Sequence, residues 1–109
     1  MITTFLLKLT QRLNEYKTRM GLTYFREFKV NTTTGPKYTK VLGVEVDHDG
    51  KEKTRNIIAF IDNQTGDIFK PASFKAPAKH ARGNVNSAQN GMEAISAAGH
   101  VVYLGTQHG

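Results

Sequence analysis

The sequence predicts a single α+β domain over residues 1–109, in which an N-terminal helix packs on an antiparallel meander of about four strands. Three observations lead to this fold class. Apolar side chains recur at helical spacing in residues 3–20, residues 22–70 alternate as strands do, and short turn sequences separate those strands. A helix that covers one face of such a sheet buries both apolar surfaces at once.

The helix is predicted over residues 3–20. Its apolar residues recur at spacings of three and four, which places them on one face: Phe5, Leu9, Leu13, Tyr16 and Met20. Gly21 follows the last of them and is typical of a helix C-terminus. The basic residues of this segment lie off the apolar stripe, so the pattern favours a core helix with a solvated side over a helix that binds a partner.

Four β-strands are predicted next, because β-branched and aromatic residues are frequent and partly alternate with polar ones. They cover residues 22–30, 37–47, 55–62 and 68–70. The residues between them have turn compositions, including Asp-Gly and Thr-Gly-Asp sequences, and such short connections predict antiparallel neighbours. Gly43 indicates a bulge or a close neighbour in the second strand.

The remainder of the chain is predicted to be a basic loop followed by short elements. Pro71 ends the fourth strand, and the loop covers residues 70–91, with a short helical turn in residues 73–79 or one that begins at Pro77. A short helix over residues 92–98, a short strand over residues 100–104 and a frayed tail complete the prediction.

The composition excludes several classes of protein. There is no cysteine, which excludes disulfides and thiolate metal sites and suits a reducing compartment. No apolar run reaches the length of a membrane span, and the N-terminus lacks the pattern of a secretory signal. The sequence thus predicts a soluble intracellular protein without membrane association. Its formal net charge of +6 favours a polyanionic partner.

The positive charge is concentrated in one segment. Residues 68–92 contain four basic and no acidic side chains, whereas the rest of the chain contains eleven basic and nine acidic ones. Lysine and arginine bind phosphates with release of counterions, and an aromatic ring among them can stack on an unpaired base. Tyr24, Tyr38 and Phe69 extend such a stacking surface if they face outward. The predicted nucleic-acid-binding residues are Lys70, Phe74, Lys75, Lys79, His80 and Arg82.

A small anionic nucleotide is a second candidate ligand of the basic loop. Lys79, His80 and Arg82 would hold its phosphates, and Gly83 would permit close approach of the backbone. No phosphate-loop motif is present, which makes this interpretation weaker than binding of a nucleic-acid strand. A third interpretation gives the loop no ligand, since prolines also stiffen charged surfaces that are only solvated.

Catalytic function has the weakest support in the sequence. Asp62 and Asp67 with Lys75 could form a metal-dependent nuclease centre, but the two aspartates border a turn, where aspartate is common in any case. Asp47 and Asp49 are better explained as turn residues than as part of a calcium loop. The four histidines do not have the spacing of metal ligands. We therefore predict no catalytic residue, no metal site and no cofactor.

Residues 59–84 contain a long sequence motif. A hairpin that ends in Thr-Gly-Asp leads into Lys-Pro-Ala-Ser-Phe-Lys-Ala-Pro-Ala-Lys-His-Ala-Arg-Gly at residues 70–83. This segment, about a quarter of the chain, resembles a class of small basic proteins encoded by tailed bacteriophages, whereas the helix and the first strands match them only in general layout. The class has no assigned activity. The resemblance implies a viral origin and a setting in the cytoplasm of a bacterial host or in the virion, and it disfavours a cellular metabolic enzyme.

Together these observations predict a phage-encoded protein that binds nucleic acid, with single strands favoured and with little sequence preference. The alternative from another class is a virion-associated or host-defence-interacting protein, whose basic loop binds an acidic protein or a small anionic nucleotide. A metal-dependent nuclease ranks third. Pairing of copies through an exposed outer strand is compatible with the sequence but is not required by it.

Overall fold

A computed structural model describes residues 2–102, which form a helix and a five-stranded antiparallel sheet. The strands lie in the sheet in chain order, and each is antiparallel to the next. The predicted α+β class is confirmed, and the meander has one strand more than the sequence predicts. Within the described part, no helix combines the length and the apolarity that crossing a membrane requires. The elements are α1 (Ile2–Met20), β1 (Glu27–Thr34), β2 (Tyr38–Val46), β3 (Glu52–Asp62), β4 (Asp67–Pro71), β5 (Pro77–Asn84) and a 3₁₀ turn (Met92–Ala94).

Helix α1 covers one face of the sheet, which we call the inner face. Three residues of its apolar stripe are buried there: Phe5, Leu9 and Leu13. They belong to the same buried cluster as Phe28, Val41, Ile61 and Ile68 of the sheet. Full burial of such a side chain contributes about 1.5–3 kcal/mol relative to exposure, so this face is the main source of stability. The predicted helix begins one residue after the observed one and ends at the same residue.

The C-terminus of α1 is fixed by Gly21. Its φ of 67° is a left-handed conformation that a residue without a Cβ atom adopts at little cost. The amide of Gly21 donates to the carbonyl of Thr18 (3.2 Å), and the amide of Leu22 donates to that of Lys17 (3.0 Å). This is the Schellman arrangement, which satisfies two of the last helical carbonyls.

One polar side chain joins α1 to the outermost strand. Nδ2 of Asn14 donates to the carbonyl of Phe28 (3.0 Å), and the amide of Phe28 donates to Oδ1 of Asn14 (2.8 Å). β1 is an edge strand, and the backbone groups on such an edge can pair with another chain. Asn14 therefore closes part of this edge while it anchors the helix.

The first strand lies later in the chain than predicted. The sequence pattern places it at residues 22–30 and assigns residues 31–36 to a turn, whereas β1 continues through a run of threonines to Thr34. The end of β1 pairs with residues 39–42 of β2, because threonine is β-branched and suits a strand. The turn itself needs only residues 35–37.

The other two predicted turns are confirmed. Oδ1 of Asp47 accepts hydrogen bonds from the amides of Asp49 and Lys51, both at 2.9 Å. Oδ1 of Asp62 accepts two amides of its own turn in a similar manner. Aspartate favours turns because its side chain can satisfy nearby backbone amides in this way. Both aspartates therefore have a structural explanation that involves no metal.

The pairing of β2 with β3 is irregular near Gly43, as the sequence indicates. The register shifts between Val41 and Leu42 and again between Gly43 and Val44. A Cβ atom on Gly43 would lie 2.6 Å from Oδ1 of Asn56, so the close neighbour accounts for the glycine. Such bulges increase the local twist of a sheet.

The predicted basic loop, residues 70–91, contains a strand in its middle. Residues 77–84 form β5, which pairs with β4, and only residues 72–76 connect the two. The predicted helical turn in residues 73–79 is therefore wrong, since the amide of Ala72 donates to the carbonyl of Ala76 and closes a hairpin (3.0 Å). Pairing satisfies backbone groups of β4, and proline is tolerated as the first residue of an outer strand.

The C-terminal segment, residues 92–102, folds back against α1 and β5. The predicted helix over residues 92–98 is wrong beyond its first turn, Met92–Ala94. A tight turn replaces the remainder, in which the amide of Gly99 donates to the carbonyl of Ser96 (3.0 Å).

Only part of the predicted last strand can be compared with the structure. Val101 forms an isolated antiparallel bridge with Ile95. The remaining residues of that strand, 103 and 104, and the predicted tail over residues 105–109 lie outside the described residues.

Candidate nucleic-acid interface

A groove opens on the face of the sheet opposite to α1, which we call the outer face. The groove has a volume of about 420 Å³ and lies between the β1–β2 turn, the middle strands and the β4–β5 loop. We call it the outer groove. Three lysines and two aromatic rings dominate its lining, and no acidic side chain of residues 2–102 belongs to it. The lining residues are Thr33, Gly35, Pro36, Lys37, Tyr38, Lys40, Phe60 and Lys75.

The strand register explains why these side chains meet. Tyr38 and Lys40 are two residues apart on β2 and therefore point to the same face. Lys40 is the cross-strand partner of Phe60, and Phe60 is the partner of Phe69 on β4. Cross-strand partners share a face, which places Phe69 beside the groove. Phe60 is buried, whereas Tyr38 and Phe69 are half-buried.

The three rings of the strands pack edge to face. The centroids of Tyr38 and Phe60 are 6.0 Å apart with an interplanar angle of 84°, and those of Tyr38 and Phe69 are 5.8 Å apart at 79°. The quadrupoles of aromatic rings favour such edge-to-face contacts. The Tyr38 ring is thus held in one orientation, with part of its surface in contact with solvent.

Phe74 adds an exposed ring to the groove. It lies in the β4–β5 loop, and its side chain is 68% exposed. The ammonium group of Lys40 lies 4.4 Å from the centroid of the Phe74 ring and 6.0 Å from that of Phe60. Lys40 therefore connects the loop with the rings of the sheet. The amide of Lys75 donates to Oγ of Ser73 (3.2 Å), which helps to shape the loop.

Three lysines give the outer groove a positive formal charge, and one acidic side chain of the described residues, Asp62, lies beside it. Asp62 lies opposite Tyr38 in the sheet register. The amides of Thr65 (3.0 Å) and Gln64 (2.8 Å) lower the pKa of the Asp62 carboxyl, and the charge of Lys37 adds to this effect. The carboxylate is directed to its own turn, so it reduces the positive charge near Lys37 without entering the groove lining.

Lys70 and Arg82 are directed away from the outer groove. Nη1 of Arg82 donates to the carbonyl of Val102 (2.6 Å), and its Nε donates to that of His80 (3.1 Å). Nζ of Lys70 donates to the carbonyl of Val101 (3.4 Å). Both cations therefore bind the backbone of the C-terminal segment, a role that their place in the sequence does not indicate.

Two arginines of α1 contact the same segment from the other side. Nη1 of Arg12 donates to the carbonyl of Ile95 (2.8 Å), and Nη2 of Arg19 donates to that of Ala97 (3.4 Å). Carbonyl groups of a segment with little regular structure need donors, and these cationic side chains supply them. Part of the positive charge of the chain thus has a structural function.

Lys79 and His80 lie on β5, the second edge strand, and both are exposed. The six predicted binding residues thus divide into three groups. Phe74 and Lys75 lie at the outer groove, Lys79 and His80 lie exposed at the sheet edge, and Lys70 and Arg82 hold the C-terminal segment.

Comparison with known proteins supplies a family for this chain. A model of a family of unknown function, DUF7717, matches residues 2–104. The chain belongs to this family. The match includes every residue that lines the outer groove and all six predicted binding residues. No curated protein and no solved structure matches the chain.

Two lysines of the groove in this DUF7717 member were not predicted as binding residues. Lys37 and Lys40 precede the basic segment by more than one strand and come to the groove only through the pairing of β2 with β3. One feature of the sequence could have identified Lys40 as a groove residue. It lies two residues after Tyr38 on a predicted strand and therefore faces the same side as that expected stacking residue. Tyr38 and Phe69 do lie on the outer face, whereas Tyr24 lies apart, with its hydroxyl bonded to Oε2 of Glu45 (3.2 Å).

The proposed carboxylates of a nuclease centre are engaged in structural hydrogen bonds. Oδ1 of Asp67 accepts a hydrogen bond from Nδ2 of Asn84 (2.9 Å), and Asp62 holds the amides of its turn. Within residues 2–102, no three His, Asp or Glu side chains lie close enough together to hold a metal ion. Asp62 thus has the contacts of a turn residue, whereas Asp67 is bonded to its cross-strand partner on β5.

The two kinds of basic residue are expected to differ in their effect on stability. Arg82→Met should lower the free energy of unfolding by about 1–2 kcal/mol, because the carbonyl of Val102 loses a charged donor in a half-buried position. Lys75→Met should change it by less than about 0.5 kcal/mol, since Lys75 is exposed. Urea unfolding followed by circular dichroism measures both. Equal effects of the two substitutions would show that the Arg82 contact does not stabilise the fold.

Proposed function

We propose that this chain is a bacteriophage protein that binds single-stranded nucleic acid with little sequence preference, and that the outer groove is its binding surface. The bacteriophage origin is supported by the sequence motif at residues 70–83. The binding function is supported above all by one observation: Lys37 and Lys40 at the start of β2 and Lys75 of the β4–β5 loop line one groove. The half-buried ring of Tyr38 lines it as well, and the exposed ring of Phe74 lies beside it.

The chemistry of these residues suits an unpaired strand. Ammonium groups bind phosphates and release condensed counterions, which supplies affinity without reading sequence. An exposed ring such as that of Phe74 stacks on a base, an interaction worth about 1–3 kcal/mol. Bases in a duplex are already stacked on their neighbours, so the rings favour single strands.

Low sequence preference follows from what the groove offers to a base. Sequence is read by donors and acceptors that meet the base edges, whereas lysines contact phosphates and aromatic rings accept the face of any base. Phosphates beyond the groove would contact the exposed Lys79 and His80 at the sheet edge.

The substitution Phe74→Ala tests the proposal. It should weaken binding of a single-stranded oligonucleotide by about 5- to 150-fold, which corresponds to the loss of one stacked base. Because Phe74 is 68% exposed, the free energy of unfolding should stay within about 0.5 kcal/mol of the wild-type value. Fluorescence anisotropy of a labelled oligothymidylate, at two salt concentrations, measures the affinity.

The matched control for this experiment is Leu7→Ala. Leu7 is also a large exposed apolar residue, 61% exposed, but it lies on α1 and not on the outer face. Its substitution should leave the affinity unchanged. If the wild-type chain fails to bind the oligonucleotide at low salt, the proposed function is wrong. If Phe74→Ala binds as tightly as the wild type, the ring does not take part.

A further inference from the structure

The positive charge of the outer groove exceeds what an internal nucleotide of a strand would neutralise. Each internal phosphodiester carries one negative charge. Lys37, Lys40 and Lys75 converge on one groove of about 420 Å³. Asp62 lies next to Lys37, with its carboxylate bonded to amides of its own turn. Even if the Asp62 charge is counted in full, three positive charges minus one leave two.

We infer that the outer groove binds the terminal nucleotide of a strand through its phosphomonoester, an inference that rests on the proposed function. A phosphomonoester carries a charge of about −1.5 to −2 near neutral pH and offers three acceptor oxygens, so it matches the groove better than a phosphodiester does. The groove volume lies within the range of small-ligand sites, about 300–1,000 Å³.

The arrangement of the lining gives each part of the nucleotide a partner. The ammonium group of Lys40 lies among the rings, 4.4 Å from the centroid of Phe74, while Lys37 and Lys75 approach from the two loops. The phosphate binds among these three groups. The base lies against the exposed ring of Phe74 and the half-buried ring of Tyr38. Such a site binds both the phosphomonoester and the base of one nucleotide. An internal nucleotide of a strand, with its singly charged phosphodiester, would use only part of this positive charge.

Three oligonucleotides of the same sequence test the inference. One carries a 5′-phosphate, one carries a 3′-phosphate and one carries neither. One of the two phosphorylated forms should bind the wild-type chain about tenfold more tightly than the unphosphorylated form, as expected for added charge-assisted hydrogen bonds. The double substitution of Lys37→Gln and Lys75→Gln should remove this difference. Lys51→Gln with Lys53→Gln makes the same change in net charge at exposed positions outside the groove and should preserve it.

The outcomes separate this inference from the proposed function. Equal binding of all three oligonucleotides would overturn the terminal site and leave the proposed function intact. Failure of all three to bind would overturn both. Competition by a free nucleoside monophosphate distinguishes a strand end from a free nucleotide as the ligand of the groove. Weaker binding of the free nucleotide supports a strand end as the ligand, and binding as tight as that of the phosphorylated strand would overturn it.

Discussion

Replacement of Lys37, Lys40 and Lys75 together by glutamine is expected to weaken binding of a single-stranded oligonucleotide by about 100-fold. Each phosphate charge that a lysine neutralises adds about 0.7 to the slope of log K against log salt for single strands, so three lysines add about 2. The same count holds for successive phosphates of a strand and for a terminal phosphate with its neighbour. At about 0.1 M salt this slope corresponds to about two powers of ten in affinity. The magnitude of the slope should fall by about 2 in the triple variant. Anisotropy titrations over a series of salt concentrations measure both quantities.

The control for the triple variant is Lys8→Gln with Lys51→Gln and Lys53→Gln. These lysines are exposed and do not line the outer groove, and their loss changes the net charge by the same amount. If both triple variants lose affinity equally, binding reflects only the formal charge of +6 and not the groove. All six positions are at least partly exposed, so both variants should give the circular dichroism spectrum of the wild type.

The elements that the sequence predicts well are those whose signals are local. The stripe of α1 repeats every three to four residues and ends at Gly21, and the burial of Phe5, Leu9 and Leu13 follows from that spacing. The turns at Asp47 and Asp62 are set by side chains that bond amides within a few residues. In each case the interaction that fixes the structure lies within a few residues of its signal.

β5 shows where local signals fail. Residues 77–84 are proline, glycine, small and charged residues, which have low strand propensity, so their pattern indicates a loop. They form a strand because β4 offers backbone groups that need partners. That need arises from the sheet as a whole, and no residue of the segment displays it.

The candidate site could be predicted only in part from the sequence, because the direction of each side chain also depends on contacts between residues far apart in the chain. A run of basic residues shows that positive charge is concentrated, but it does not show in which direction each side chain points. Lys75 lines the outer groove, whereas Lys70 and Arg82 bind carbonyls of the C-terminal segment. Conversely, Lys37 and Lys40 reach the groove through pairing between strands, which neighbours in the sequence do not reveal.

The substitution Phe5→Ala is expected to lower the free energy of unfolding by about 3–5 kcal/mol, the usual cost of truncating a fully buried phenylalanine. Phe5 is 0% exposed and belongs to the cluster between α1 and the sheet. Its ring also reaches the loop after β5, since a Cβ atom on Gly91 would lie 2.8 Å from Cδ1 of Phe5. Packing from several sides keeps the neighbours from closing the cavity. Urea unfolding, with Leu7→Ala as the exposed control on the same helix, measures the loss.

This substitution also separates the two faces of the sheet. Phe5 lies on the inner face and Phe74 on the outer face, so the folded fraction of Phe5→Ala should bind the oligonucleotide with wild-type affinity, while Phe74→Ala should lose affinity at unchanged stability. Domains of this size have a total stability of about 5–15 kcal/mol, so the binding measurement needs a temperature at which Phe5→Ala remains folded. A loss of less than about 1 kcal/mol in Phe5→Ala would contradict the packing of α1 on the inner face. A loss of affinity in its folded state would show that the groove depends on more than the residues that line it.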